Sequence, residues 1–122
     1  MDKAEDIMSD DVFRLMPTAS LNLLEVTAES LHLRHIPVVD DKDRPIGMVS
    51  IRDVVKYLTS DGATLFAPVK AVMTEGVECA LRTTPVTEIA QIMREKNISA
   101  VPIVEKEKIV GIVTERDFLK LV

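Results

Sequence analysis

Residues 47–53 read Gly-Met-Val-Ser-Ile-Arg-Asp, and residues 111–117 read Gly-Ile-Val-Thr-Glu-Arg-Asp. Both copies run glycine, two apolar residues, a hydroxyl residue, one variable position, arginine and aspartate. The spacing between copies is 64 at both ends, from Gly47 to Gly111 and from Asp53 to Asp117. A fixed internal period marks a chain built from repeated structural units. Working outward, Ile36-Pro37-Val38-Val39 matches Val101-Pro102-Ile103-Val104, and Met8 in AEDIMSD matches Met73 in VKAVMTE, both at a spacing of 65. The polar connections DDKDRP and EKEK lie between the two spacings, so one deleted residue there accounts for the change.

Each copy carries the same sequence of patterns. Val12 to Leu15 and Val77 to Leu81 are short apolar stretches compatible with strands. Helical segments follow. In the second, Thr84 is placed to cap and Pro85 to open the helix, and Val86, Ile89, Ala90 and Met93 recur with helical spacing. In the first, from Ser20 to about His32, Leu21, Leu24, Ala28 and Leu31 form the equivalent face. Leu23, Val26 and Leu33 lie off that face, which fits either full burial or a subunit interface. The β-branched runs around Pro37 and Pro102 read as strands, with proline suiting an early or edge position. PIGMV and KIVGIV read as strands leading into short helices at Ile51 to Leu58 and Glu115 to Leu121. The order is strand, helix, strand, strand, helix, written twice. The copies span residues 3–60 and 71–122, joined by a connection at 61–70 whose Gly and Pro mark a linking segment.

With 122 residues, 47% of them hydrophobic, the chain can bury its own core, and with 3% aromatic residues that core is aliphatic. The net charge of −5 argues against nucleic-acid binding through bulk electrostatics. The single cysteine, Cys79, permits no internal disulfide and reads as a small buried hydrophobe. No stretch approaches the roughly 20 apolar residues that cross a bilayer, and MDKAED lacks the apolar run of a secretory signal. A soluble, reducing, cytoplasmic setting is expected. His32 and His35, without Cys or carboxylate companions, are poor support for a metal site.

Ser50 and Thr114 end strands and precede helices, with Asp53 and Asp117 three residues on. That spacing is a close relative of the capping box, which needs no ligand. The second reading is chemical. A short Asp turned outward could accept two ribose hydroxyls, while the hydroxyl, the helix N–H groups and Arg52 or Arg116 hold a phosphate. The chain shows no nucleophile with a base, no paired carboxylates within a copy and no Walker-type loop, so an enzyme is not expected.

The twofold repeat, the IPVV and VPIV strands and the two G-h-h-S/T-x-x-D stretches resemble a tandem pair of CBS (cystathionine β-synthase) domains, a Bateman module, over about residues 3–122. The resemblance implies an α/β (α+β) fold of two β-α-β-β-α repeats related by a pseudo-twofold axis and packed through their sheets. It implies clefts for regulatory adenine compounds: AMP, ADP, ATP, S-adenosylmethionine or dinucleotides. Asp would hold the ribose, and the hydroxyl and nearby cations the phosphate. Thr114, Arg116 and Asp117 would face Val12 and Leu33-Arg34-His35. Ser50, Arg52 and Asp53 would face Val77 and Ile98-Ser99. The cleft with Arg34 and His35 carries more positive charge. Family members usually pair two modules, so a homodimer acting on an unidentified effector protein is expected. The alternative is a ligand-free dimerisation scaffold in which the Ser/Thr-x-x-Asp pairs are only helix caps.

Overall fold

The computed structural model describes residues 2–31 and 34–122. Ile36, Pro37, Val38 and Val39 are all buried in strand β1 (His35–Val39), which pairs antiparallel with β2 (Pro45–Ser50). A continuous β-branched run of this kind is what a strand covered on both faces requires. The second copy repeats the hairpin with β4 (Ala100–Glu105) and β5 (Lys108–Thr114). Both hairpins shift register at equivalent points, between Val38 and Val39 and between Ile103 and Val104. Val39 pairs with Pro45 across five residues, whereas Val104 pairs with Ile109 across four. The deleted residue therefore lies in the turn. The shorter turn places Lys106 and Glu107 at φ 51° and 70°, the left-handed conformation that a tight two-residue hairpin demands.

The remaining elements follow the expected order. Before the first hairpin come a single helical turn, α1 (Ala4–Ile7), and α2 (Leu21–Leu31). After β2 comes α3 (Ile51–Leu58), and then a 3₁₀ turn at Val69–Ala71. The second copy places β3 (Ala80–Leu81) and α4 (Val86–Lys96) before its hairpin. A 3₁₀ helix at Glu115–Leu121 ends it, in place of the expected α-helix. The predicted first strand, Val12 to Leu15, contracts to one bridging residue. Leu15 N–H donates to Pro37 O at 3.0 Å and Val39 N–H to Leu15 O at 2.9 Å. Leu15 thereby occupies the place that β3 takes beside β4, where Ala80 pairs with Ile103.

Two other expectations are corrected. Helix α4 begins at Val86, because Pro85 (ψ 141°) is not helical. Thr84 does not cap it: its Oγ1 accepts the Leu81 N–H at 2.9 Å and closes the preceding turn. Of the early or edge position expected for Pro102, the early one is found: it is the third residue of β4, the middle strand of the order β3-β4-β5. Its missing N–H costs no bond to the facing strand, because the carbonyl of the opposite residue, Ile112, accepts the Ser9 N–H at 2.9 Å.

The chain divides into two compact units, residues 13–76 and residues 2–12 with 77–122. The opening segments are exchanged between copies. Ser9 bridges to Ile112 in the second copy's hairpin, and Thr74 bridges to Met48 in the first copy's. In the 13–76 unit, Leu15, Leu21, Leu24, Ile36, Val38, Val49, Val54 and Val69 form the core. In the other, Ala4, Ile7, Ala80, Val86, Ile89, Met93, Val101, Ile103 and Val113 do so. Leu21 and Leu24 thus lie on the buried face of α2 as expected, while Ala28 and Leu31 as side chains, and Leu33 entirely, lie outside the described residues. The 61–70 connection is strapped onto α2. The carbonyls of Ala67 and Leu65 accept the N–H groups of Leu21 (3.0 Å) and Asn22 (2.9 Å), two donors that a helix start otherwise leaves unpaired.

Candidate functional site

Strand β2 delivers Ser50 to the start of α3 in an extended conformation, where it serves as N-cap. Its Oγ accepts the Asp53 N–H at 3.1 Å, and its own N–H donates to Asp53 Oδ2 at 3.0 Å. The short carboxylate reaches back and completes a capping box instead of turning outward. Its Oδ1 stands outside that pair of bonds. His35 lies opposite Ser50 in the β1–β2 register, and the carbonyl of Arg34 accepts the Ile51 N–H at 3.3 Å. The turn before β1 is therefore pinned to the helix start. The 13–76 unit collects Arg34, His35, Ser50, Arg52 and Asp53 at one end of its hairpin, with both guanidinium-bearing residues exposed. A hydroxyl, a carboxylate and two cations in one place suit an anion with a diol beside it.

The second copy repeats the scaffold with different side chains. Thr114 N–H donates to Asp117 Oδ2 at 2.8 Å, and Thr114 Oγ1 lies 3.3 Å from the same oxygen. Glu115 N–H donates to the Ser99 carbonyl at 3.1 Å, and Ala100 lies opposite Thr114. Ser99 and Ala100 thus stand where Arg34 and His35 stand in the first copy, and Arg116 is exposed. Ile98 packs against the core of this unit, after Asn97 ends α4 in the left-handed conformation. Val12 and Val77 are both half-buried.

Two features escaped the reading of the sequence. Lys120 Nζ sits 3.0 Å from Asp117 Oδ1 and also donates to the Ile7 carbonyl at 2.8 Å. The motif glycines are the second. A Cβ on Gly47 would lie 2.6 Å from Met73 Sδ, and one on Gly111 would lie 2.5 Å from Met8 Sδ. The repeated Met-Ser/Thr openings and the repeated glycines were both visible, but not that each methionine crosses to the other copy's glycine.

Burial, with Glu78 beside it, pushes the Cys79 thiol above its ordinary range, which keeps it protonated and unreactive near neutral pH. Among the described residues, no three His, Cys, Asp or Glu side chains group to hold a metal ion, and no helix is long and apolar enough to cross a membrane.

The CBS domain family model matches residues 4–60 and 69–122. Inosine-5'-monophosphate dehydrogenase of Methanocaldococcus jannaschii is 30% identical over 97% of this chain, which spans only 23% of that enzyme's length. Among solved structures, a Vibrio cholerae protein given the name AcuB, for acetoin utilization, superposes with a TM-score of 0.90 at 32% identity, covering 99% of this chain and 90% of that one. The CBS domain pair of protein MJ0100, in complex with 5'-methylthioadenosine and S-adenosyl-L-methionine, also has a TM-score of 0.90, at 27% identity over 99% of this chain and 95% of that one. With two matches in tandem covering nearly all of its length, the chain belongs to the CBS domain family and forms one CBS pair, a Bateman module.

Proposed function

We propose that this chain is a regulatory module that binds an adenine compound (AMP, ADP, ATP or S-adenosylmethionine) and signals occupancy through conformation or assembly, without catalysis of its own. The observation that carries this reading is the duplicated set of hydroxyl, carboxylate and arginine at Ser50, Arg52 and Asp53 and at Thr114, Arg116 and Asp117. The MJ0100 pair, similar over nearly its whole length, holds two adenosine derivatives. In the proposal Asp53 keeps its Oδ2 on the cap and offers Oδ1 to a ribose hydroxyl, so ligand binding need not uncap α3. Arg34 and His35 attract phosphate. A reducing cytoplasmic setting is part of the same proposal.

Thermal unfolding against AMP, ADP, ATP, S-adenosylmethionine and a guanine nucleotide tests it. A ligand that binds only the native state stabilises by about 2.7 kcal/mol at a hundred times its dissociation constant, which moves the midpoint by several degrees for a chain of this size. A rise with an adenine compound and none with guanine is expected. No rise with any compound would favour the second reading, a dimerising scaffold. That reading is supported by the carboxylates' use as caps and by the exposure of Leu23 (49%) and Val26 (57%) on α2.

A further inference from the structure

Asp117 is the one buried charged residue among those described, 7% exposed. Lys120 neutralises it from three positions on, and the helix type explains why. A 3₁₀ helix has three residues per turn, so side chains at i and i+3 eclipse. The Glu115–Leu121 segment is 3₁₀, and Lys120 therefore stands directly over Asp117, at 3.0 Å. In the first copy Lys56 keeps the same spacing from Asp53, but α3 is an α-helix, in which i+3 neighbours i with an offset of about 60° and does not eclipse it. Lys56 is exposed and makes no ion pair with Asp53 among the described residues. The two aspartates are thus differently prepared. Asp53 is half-buried with Oδ1 outside its cap bonds, while both oxygens of Asp117 are engaged, Oδ2 by Thr114 and Oδ1 by Lys120. Lys120 Nζ simultaneously holds the Ile7 carbonyl at 2.8 Å, at the end of α1, across 113 residues of sequence.

We propose that Lys120 is an internal latch that sets the order of filling. The Asp53 centre takes ligand first, and a ligand reaching Asp117 must displace the ammonium from Oδ1, which also releases the Ile7 carbonyl and loosens α1. Lys120 is a positioning residue here, acting through Asp117 on affinity and through Ile7 on the amino-terminal segment. The inference rests on the nucleotide reading above. It assigns the Asp117 centre to higher ligand concentration and gives its occupancy a mechanical output at residues 4–9.

Calorimetric titration of the full chain with adenosine and with AMP tests the latch. Adenosine carries the diol without phosphate, so it isolates competition for the carboxylate from attraction of Lys120 to an anion. In an Asp53→Ala background, Lys120→Met should tighten adenosine binding about two- to tenfold, the range that one partly exposed ion pair can supply. Lys120→Arg, which keeps the charge, should not, and Lys120→Met in an Asp117→Ala background should change nothing. Lys120→Gln serves the same purpose if the methionine variant folds poorly. Hydrogen exchange supplies the second readout. The Met8 amide, bonded to Ala4 O at 2.8 Å, should exchange faster when the Asp117 centre fills, and should be fast without ligand in Lys120→Met. Binding to the wild type that removal of Lys120 leaves equal or weaker, or Met8 exchange indifferent to ligand, would overturn the latch alone. No heat from either compound with the wild type would overturn the nucleotide reading, and the latch with it.

Discussion

A methyl group added at Gly111 would lie 2.5 Å from Met8 Sδ and 3.1 Å from the Ser9 carbonyl oxygen, and one at Gly47 would meet Met73 and Thr74 in the same way. Neither glycine has a positive φ, so close approach of a crossing chain, and not backbone freedom, explains the residue. Overpacking of this kind costs about 1–3 kcal/mol, whereas Gly→Ala at an unstrained, open site stabilises by about 0.4–1 kcal/mol. Gly111→Ala should therefore lower the urea midpoint. A rise would show that Met8 does not pack there. The two aspartates divide similarly. Loss of a capping side chain costs about 0.5–2 kcal/mol, which Asp53→Ala should show. Asp117→Ala should cost more, because it removes the ion pair with Lys120 as well as the cap bond. Equal losses in chemical denaturation would mean that Lys120 contributes little to the ligand-free state.

At the scale of elements, the first hairpin turn is organised by Asp40. Its Oδ1 accepts the N–H groups of Lys42 and Arg44, both at 2.9 Å, and its Oδ2 receives Arg44 Nε at 2.7 Å. These bonds, the Arg44 N–H first, hold the Asp40 carboxyl below its ordinary pKa. A carboxyl with a depressed folded pKa stabilises fully above its unfolded value, near 4, and loses that contribution as pH falls through the lower folded value. The stability gap between wild type and Asp40→Asn should thus be widest near neutrality and shrink in acid. A gap that grows below pH 4 would contradict the assignment. Element types were legible where local rules decide. The hydroxyl and carboxylate at Ser50 and Asp53 start α3 at the expected residue. They were illegible where the neighbours decide: Pro102 is tolerated mid-sheet where the Ile112 carbonyl turns to the Ser9 N–H, and Glu115–Leu121 winds as 3₁₀ with Lys120 held on Ile7.

For the molecule as a whole, the exchange of opening segments means that the amino-terminal residues complete the carboxy-terminal half of the duplication. Ala4 and Ile7 are fully buried in the core built from Ile89, Val101, Ile103 and Val113. Ile7→Ala should therefore cost about 2–5 kcal/mol, and hydrogen exchange should report the loss in β4, β5 and α4. If protection there were unchanged, the amino-terminal segment would not belong to that unit's core. Assembly is tested separately. Leu23 and Val26 expose apolar surface on α2, and Leu23→Glu should shift light-scattering mass toward monomer at micromolar concentration if this face pairs two copies. A wild type already monomeric would count against the homodimer expected from the sequence.

By itself the sequence determined the duplication, the position of the one-residue deletion, the order of elements and the places where hydroxyl, carboxylate and arginine stand together. These follow from period, capping chemistry and turn residues, all of which act over a few positions. Tertiary structure alone decided that Met8 crosses to Gly111 and Met73 to Gly47. It also decided that Asp117 is buried under Lys120 while Asp53 keeps an oxygen outside its cap, and that Ile7 supplies the carbonyl anchoring that lysine. Asp53 and Lys56 share the spacing of Asp117 and Lys120, so spacing could not distinguish them. The difference arises from helical pitch and from a carbonyl 113 residues away, and long-range contact of that kind leaves no local signature in a chain.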